Sequence, residues 1–397
     1  MTILFIATLI LILYWAWEYR RHSRNVASIP IRIHVNGTRG KSSVTRLIAA
    51  GLRAGGKKTI AKITGTLPRV VLPDGREAAI IRLQGANIIE QKYIFRYAAT
   101  IKPDAIVVEC MAVNPVFQWI TERKFVKSTI SVITNSRPDH LDLMGSTVQS
   151  VTMSLANSIP KNGVCYTSEI NQFSILKKVA DSRRTKIHKI VPTDVTDEEL
   201  SKFRYIEHKD NVQLALAVCA EAGVPRAVAM SGMQAAHPDP GALKKYQVED
   251  RGKSIHFYNV FAANDPESTV FIINMVTGKL SGAERIIILN SRADRLFRSQ
   301  QLIDALAEVE YDYLLLTGEI PEKVEDYALS HGVRKDRLFA LGQPLTEEVY
   351  QKVWQLTKKE SHVLGIGNIA GEFKYGAQIV AHFKHKIPKA HKGAGRG

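Results

Sequence analysis

The sequence predicts an α/β protein of two unequal domains, each built on a largely parallel sheet, behind one apolar N-terminal helix. Three observations carry that prediction. Residues 31–52, "IRIHVNGTRGKSSVTRLIAAGL", run an apolar strand into a glycine turn and then a helix. Short apolar runs alternate with helical stretches from about residue 31 to 255, and again from residue 285 onward. The first seventeen residues, "MTILFIATLILILYWAW", carry no charge.

Seventeen residues make a helix of about 26 Å, at the lower limit for a membrane span. Trp15 and Trp17 suit the interface, and Arg20, Arg21 and Arg24 follow them. A cleaved signal peptide carries its positive charge before the apolar run, whereas here it comes after. The expectation is an uncleaved, single-pass anchor over residues 1–19, with every later residue in the cytoplasm. An amphipathic surface helix is the rival, but this run is apolar all round. Residues 25–30 read as the connection to the core.

Ile31, Ile33 and Val35 alternate as a short strand. Gly37 and Gly40 let the backbone turn tightly and bring its N–H groups to an anion. The helix from Ser42 to about Leu52 points its positive end at the same spot. Gly37, Thr38, Arg39, Gly40, Lys41, Ser42 and Ser43 are therefore expected to hold nucleotide phosphates. Lys41 reaches for the β/γ-phosphates, and the Ser42 hydroxyl for Mg²⁺. The usual spacing has glycine at position 35, and this chain has Val35.

Farther along, residues 105–110, 128–134 and 161–168 read as short strands, and 146–159 and 210–222 as helices. Residues 244–260 read as antiparallel strands about Arg251-Gly252. A second α/β series follows, with strands at 285–290, 311–318 and 361–367. Its helices fall near 299–310, 322–331 and 345–359. "GIGNIAG" (365–371) reads as a tight turn before the last helix.

The net charge is +16, from 54 Lys and Arg against 38 Asp and Glu. With no nucleic-acid module in the sequence, that charge suits a polyanionic substrate or product better than nucleic acid. Some of it lies in the basic tail, residues 385–397, which with Lys384 holds no acid. Cys110, Cys165 and Cys219 are widely spaced, which argues against disulfide or zinc frameworks.

Glu109 closes the run "AIVVEC", and "ITNSRPDHLDLMG" (133–145) closes the next. Asn135, Asp139, His140 and Asp142 then share a carboxyl sheet edge with the glycine loop, where open α/β sheets bind ligands. Ser42, Glu109 and His140 could meet around one Mg²⁺. Because Mg²⁺ prefers oxygen, His140 reads either as a ligand or as a hydrogen-bonded structural histidine.

"NGTRGKS", Glu109, "NSRPDHLD", "DNVQLALAVCAEAGVPR" (210–226) and "FAANDPES" (261–268) together resemble the Mur ligase and folylpolyglutamate synthase superfamily. Within it, the anchor, "HVNGTRGKS", "NSRPDHLD" and "NSRADR" (290–295) are similar to the catalytic subunits of membrane-bound poly-γ-glutamate synthases. The resemblance implies a P-loop central domain over 28–260 and a smaller Rossmann-like domain over 264–384. It implies ATP held by residues 37–43, Mg²⁺ among Ser42, Glu109 and His140, and Asn211 facing the adenine. Leu155 stands fifteen residues after His140, where many relatives carry a carbamoylated lysine that helps a second magnesium. The usual inter-domain arginine near the end of the central domain is not evident, and "GALKKYQ" offers Lys244 and Lys245 instead.

The activity so implied joins glutamate units through γ-amide bonds by way of a γ-glutamyl phosphate. Asp139, Asp142 and His140 are candidates for the base that takes the amine proton. Arg292 and Arg295, after the strand 285–290, are candidates to hold the polymer on the side of the cleft facing the ATP domain. Expected partners are glutamate, poly-γ-glutamate and integral-membrane subunits that pass the polymer outward, with a homo-oligomer also possible and no nucleic acid. The alternatives are a folylpolyglutamate-type ligase and a membrane-anchored nucleotide-binding subunit regulating a transporter.

Overall fold

The computed structural model describes residues 2–386 except 66–67, 83–84, 204, 206, 237–243, 262–265, 278–281 and 370–373. Asn264, half of "FAANDPES", the end of "GIGNIAG" and nearly all of the basic tail therefore lie outside the described residues. The chain divides into two compact units, Met1–Pro240 and Gly241–Gly397.

Unit 1 opens with α1 (Thr2–Ala27), β1 (Ile31–Asn36), α2 (Lys41–Ala54) and β2 (Thr59–Ile63). There follow β3 (Arg69–Val71), β4 (Glu77–Ala79), α3 (Glu90–Ile101), β5 (Ala105–Glu109) and α4 (Pro115–Ile120). Next come β6 (Ile130–Ile133), α5 (Leu141–Met144), α6 (Val148–Leu155), β7 (Val164–Thr167), α7 (Phe173–Ser182) and β8 (Lys186–Lys189). The unit closes with α8 (Asp197–Ser201), α9 (Lys209–Glu221) and α10 (Arg226–Gln234). Its sheet has the order β4-β3-β2-β5-β1-β6-β7-β8. The strands from β2 to β8 in that order are parallel, while β3 and β4 add an antiparallel edge.

The apolar helix is longer than the expected anchor. It is apolar enough to cross a membrane, and its apolar window is unburied. Its last two turns, however, belong to the folded unit. Val26 is buried in a core cluster with Ile29, Phe95 and Ile106, and His22 lies under Phe125, whose carbonyl is 3.0 Å from its Nε2. The apolar segment and the turns that pack into the core are thus one continuous helix, and only residues 28–30 connect it to β1.

Strand β2 was hidden in the sequence by Lys62, a charge in the middle of a fully buried run. Its ammonium is paired with Glu90 at 3.1 Å, which offsets the cost of burying it.

Unit 2 holds β9 (Lys244–Asp250), β10 (Lys253–Asn259), α11 (Pro266–Thr277), β11 (Glu284–Ser291) and α12 (Leu296–Leu306). It continues through β12 (Tyr313–Gly318), α13 (Pro321–Ser330), β13 (Leu338–Gly342), α14 (Thr346–Leu356), β14 (Glu360–Gly367) and α15 (Tyr375–His385). The strand order is β13-β12-β11-β14-β10-β9, parallel except for β9. This corrects the expected boundary at residue 260. The β9–β10 hairpin is the edge of the second sheet, because β10 pairs in parallel with β14 from Ser254↔Glu360 to Asn259↔Gly365. Ile255 and Phe257 accordingly pack in the same core as Val363, Tyr350 and Phe383.

Candidate active site

Strand β1 lies between β5 and β6, with Val35 opposite Glu109 and Asn36 opposite Ile133. The carboxyl ends of three neighbouring strands therefore deliver the glycine loop, Glu109 and the 134–140 loop to one edge. Val35 is a fully buried strand residue, so the phosphate-type turn is confined to residues 37–40. Gly37 sits at φ 135° and Gly40 at φ 79°, both in the left-handed region that side chains disfavour. A Cβ on Gly37 would come within 2.0 Å of Thr134 Oγ1, so glycine is required on space as well.

The two loops are laced together. Thr38 Oγ1 donates to Asn135 Oδ1 at 2.7 Å, and the Arg39 N–H donates to the same oxygen at 3.1 Å. Thr134 Oγ1 donates to the Arg39 carbonyl at 2.5 Å, and the Arg137 N–H to Thr38 Oγ1 at 2.9 Å. Farther out, the Arg39 guanidinium lies 3.6 Å from Asp139. Sequence reasoning placed Asn135 at the edge but missed that it and Thr134 brace the loop. An amide, both donor and acceptor, directly after a strand was the available signal.

Ser42, in the first turn of α2, donates to both Glu109 carboxylate oxygens at 3.0 and 3.1 Å. Glu109 is 2% exposed and also accepts from the Thr64 N–H at 2.7 Å. Thr64 follows β2, the strand not foreseen, which is why its part was missed. Lys41 turns its ammonium onto the loop's own carbonyls, Gly37 O at 2.6 Å and Thr38 O at 3.1 Å. Burial pushes the Lys41 ammonium below its ordinary value, and the Glu109 carboxylate opposes that shift. A half-buried cation thus rests where strand, turn and helix N-terminus converge, the arrangement that suits an anion.

The remaining expected residues fall differently. His140 is half exposed, holds a left-handed backbone (φ 46°) as the residue before α5, and lies 3.8 Å from Asp139. Asn211, in the first turn of α9, is buried against the loop, where a Cβ on Gly40 would come within 2.7 Å of its Oδ1. Its Nδ2 donates to Glu207 at 2.8 Å. Leu155 is fully buried in an apolar cluster with Met144 and Val151. In unit 2, Arg292 forms a two-pronged pair with Asp294 at 2.9 and 2.7 Å, and Arg295 lies 4.0 Å from the same carboxylate.

Residues 35–232 match the Mur ligase middle domain, and residues 245–386 the poly-gamma-glutamate synthase CapB C-terminal domain. The chain is 37% identical over 395 residues to the PGA synthase CapB of Bacillus subtilis (strain 168), covering 97% of this chain and 99% of that protein. It is 36% identical over 370 residues to the capsule biosynthesis protein CapB of Bacillus anthracis, covering 92% of this chain and 80% of that protein. Among solved structures, Mycobacterium tuberculosis folylpolyglutamate synthase complexed with ADP matches with a TM-score of 0.69 at 15% identity, over 92% of this chain and 93% of that one. A bifunctional folylpolyglutamate synthase/dihydrofolate synthase with Mn, AMPPNP and L-glutamate bound matches with a TM-score of 0.64 at 16% identity, over 92% of each chain. At such identities the structural likeness establishes the fold alone. The sequence matches go further, and the chain belongs to the CapB family of poly-γ-glutamate synthases, built on the Mur ligase fold.

Proposed function

We propose that this chain is an ATP-dependent amide ligase that polymerises glutamate through γ-linkages. The observation that carries the reading is the Ser42–Glu109 contact beside Lys41 and the glycine loop. A hydroxyl and a buried carboxylate at a helix N-terminus are hard oxygen donors, the set that fits Mg²⁺. The CapB relatives support poly-γ-glutamate as the product, and the neighbour holding Mn, AMPPNP and L-glutamate supports the substrates.

In this reading the N–H groups of residues 37–43 and the N-terminus of α2 cradle the ATP phosphates, and Asn211 contacts the nucleotide. Lys41 leaves the carbonyls of Gly37 and Thr38 for the γ-phosphate and offsets charge as it moves. Ser42 and Glu109, with His140 as a third group, hold Mg²⁺, which supplies further compensation of phosphate charge. A γ-carboxylate attacks the γ-phosphate, ADP leaves, and a γ-glutamyl phosphate forms. The neutral amine of the next glutamate attacks its acyl carbon, phosphate leaves, and the amine proton passes to a base among Asp139, Asp142 and His140.

Arg292 and Arg295 are assigned to the polymer. An exposed pair with Asp294 is worth at most about 1 kcal/mol, so it can open for a polyanion. The anchor is assigned to the cell membrane with both units cytoplasmic and with integral-membrane partner subunits for export. Self-association into a homo-oligomer belongs to the same proposal.

Glutamate-dependent ADP release by purified membranes tests the reading. Release that needs a folate acceptor would favour a folylpolyglutamate-type ligase. Nucleotide binding without any glutamate-stimulated release would make the chain a regulatory subunit.

A further inference from the structure

Unit 2 carries a side-chain cluster that the ligase reading does not use. His256 on β10 and His362 on β14 are register partners in a parallel pair, so both imidazoles leave the same face of the sheet. Their ring centroids are 4.7 Å apart. Glu360 lies two residues before His362 on β14 and so shares that face. His256 Nε2 is 3.0 Å, and His362 Nε2 3.2 Å, from one and the same atom, Glu360 Oε1. A ligand atom from each of the three lies within 4.8 Å of the other two. The imidazole side chains are 9% and 5% exposed, while the Glu360 side chain is 49% exposed, so solvent reaches the cluster at the carboxylate.

The surroundings favour ligand rather than proton chemistry. Burial holds both rings below the ordinary histidine value, against the pull of Glu360. Tyr258 OH lies 3.1 Å from His362 Nδ1. When Nδ1–H donates to the phenol oxygen, the Nε2 lone pair faces Glu360, the outer support that metal-binding histidines commonly have.

We propose that His256, His362 and Glu360 form a site for a divalent transition metal of the zinc class, with water as a fourth ligand. Two imidazole nitrogens and one carboxylate suit Zn²⁺ and disfavour Mg²⁺ and Ca²⁺, which take oxygen. The cluster sits at the middle of β10 and the start of β14, in the unit that does not contain Ser42 and Glu109. Metal there ties β10 to β14 and so staples the β9–β10 hairpin to the rest of its sheet.

The test uses the full chain in detergent, stripped with a chelator and titrated with Co²⁺ as an optical probe. The expected result is one equivalent of Co²⁺ with visible tetrahedral-type absorption, displaced by Zn²⁺ but not by excess Mg²⁺. Zn²⁺ should also raise the melting temperature. Glu360→Gln changes an exposed carboxylate and leaves the buried rings in place. It should weaken Co²⁺ binding at least about tenfold with normal apo melting, and His362→Gln should abolish the absorption. Glu109→Gln should keep it. No such absorption in the parent chain, or absorption unchanged in both Glu360→Gln and His362→Gln, would overturn the proposal.

Discussion

Ser42 and Glu109, from the start of α2 and the end of β5, meet with the hydroxyl donating to both carboxylate oxygens at 3.0 and 3.1 Å. The contact sets two oxygen donors side by side next to the glycine loop. Glu109→Gln keeps an acceptor for Ser42 and the Thr64 N–H but removes the negative charge. The Mg²⁺ concentration for half-maximal ADP release should rise at least about tenfold, while melting changes little. A variant that unfolds easily with an unchanged Mg²⁺ optimum would make Glu109 a core residue only.

The continuous helix α1 sets a limit on truncation. Removing residues 2–17 should give a chain that leaves the membrane fraction and still binds ATP, because Val26 and His22 remain in the core. Extending the deletion through residue 27 strips Val26 from its contacts with Ile29 and Phe95. That longer deletion should cost about 2–3 kcal/mol more by denaturant unfolding. Equal stability of the two truncations would mean that the last two turns of α1 are not structural.

Beneath β1, His34 and Glu122 form a buried pair at 2.9 Å, and Glu122 also accepts from the Ser128 N–H and hydroxyl. Burial opposes the charged ring, but Cys110 and Glu122 outweigh it and push the imidazole up to about 10. Because the folded value is raised, this stabilisation is complete below pH 6.5 and is lost as pH rises through about 10. His34→Gln leaves Glu122 buried without its partner charge and should cost about 3–5 kcal/mol at pH 7. The gap to the parent should narrow above pH 10. An equal gap at both pH values would show that packing, not charge, is what His34 contributes.

Arg292 and Arg295 present their guanidinium groups beside Asp294 at the end of β11. A γ-linked chain carries one free α-carboxylate per residue, so binding it should be summed and salt-screened. Changing both to Gln should shorten the product and flatten its dependence on ionic strength, with ATP affinity unchanged. Product length and salt response equal to the parent would place the polymer elsewhere.

Much of this was legible because the signals were local. The strand–glycine–helix pattern at 31–52 needs no tertiary context, and neither do the strand runs of unit 2. The linear pattern places the hairpin in the first unit, whereas Ile255 and Phe257 find their partners on β14, over a hundred residues on. Strand β2 was missed because the charge of Lys62 is offset only by Glu90 on α3. In the site, Glu109 and the loop follow from spacing. The bracing by Thr134 and Asn135, and the Thr64 N–H, depend on how three loops meet, which a linear pattern does not carry.

If this chain makes γ-glutamyl amide bonds at the site built on Lys41, Ser42 and Glu109, its product must show them. Mass spectrometry of the product from purified membranes given ATP, Mg²⁺ and glutamate tests it most directly. The expected result is a ladder of γ-linked oligomers spaced by one glutamate residue, with one ADP released per bond. Lys41→Ala should cut its yield at least about 100-fold while melting stays close to the parent. Full product from Lys41→Ala, or ADP release by the parent with no ladder, would contradict it.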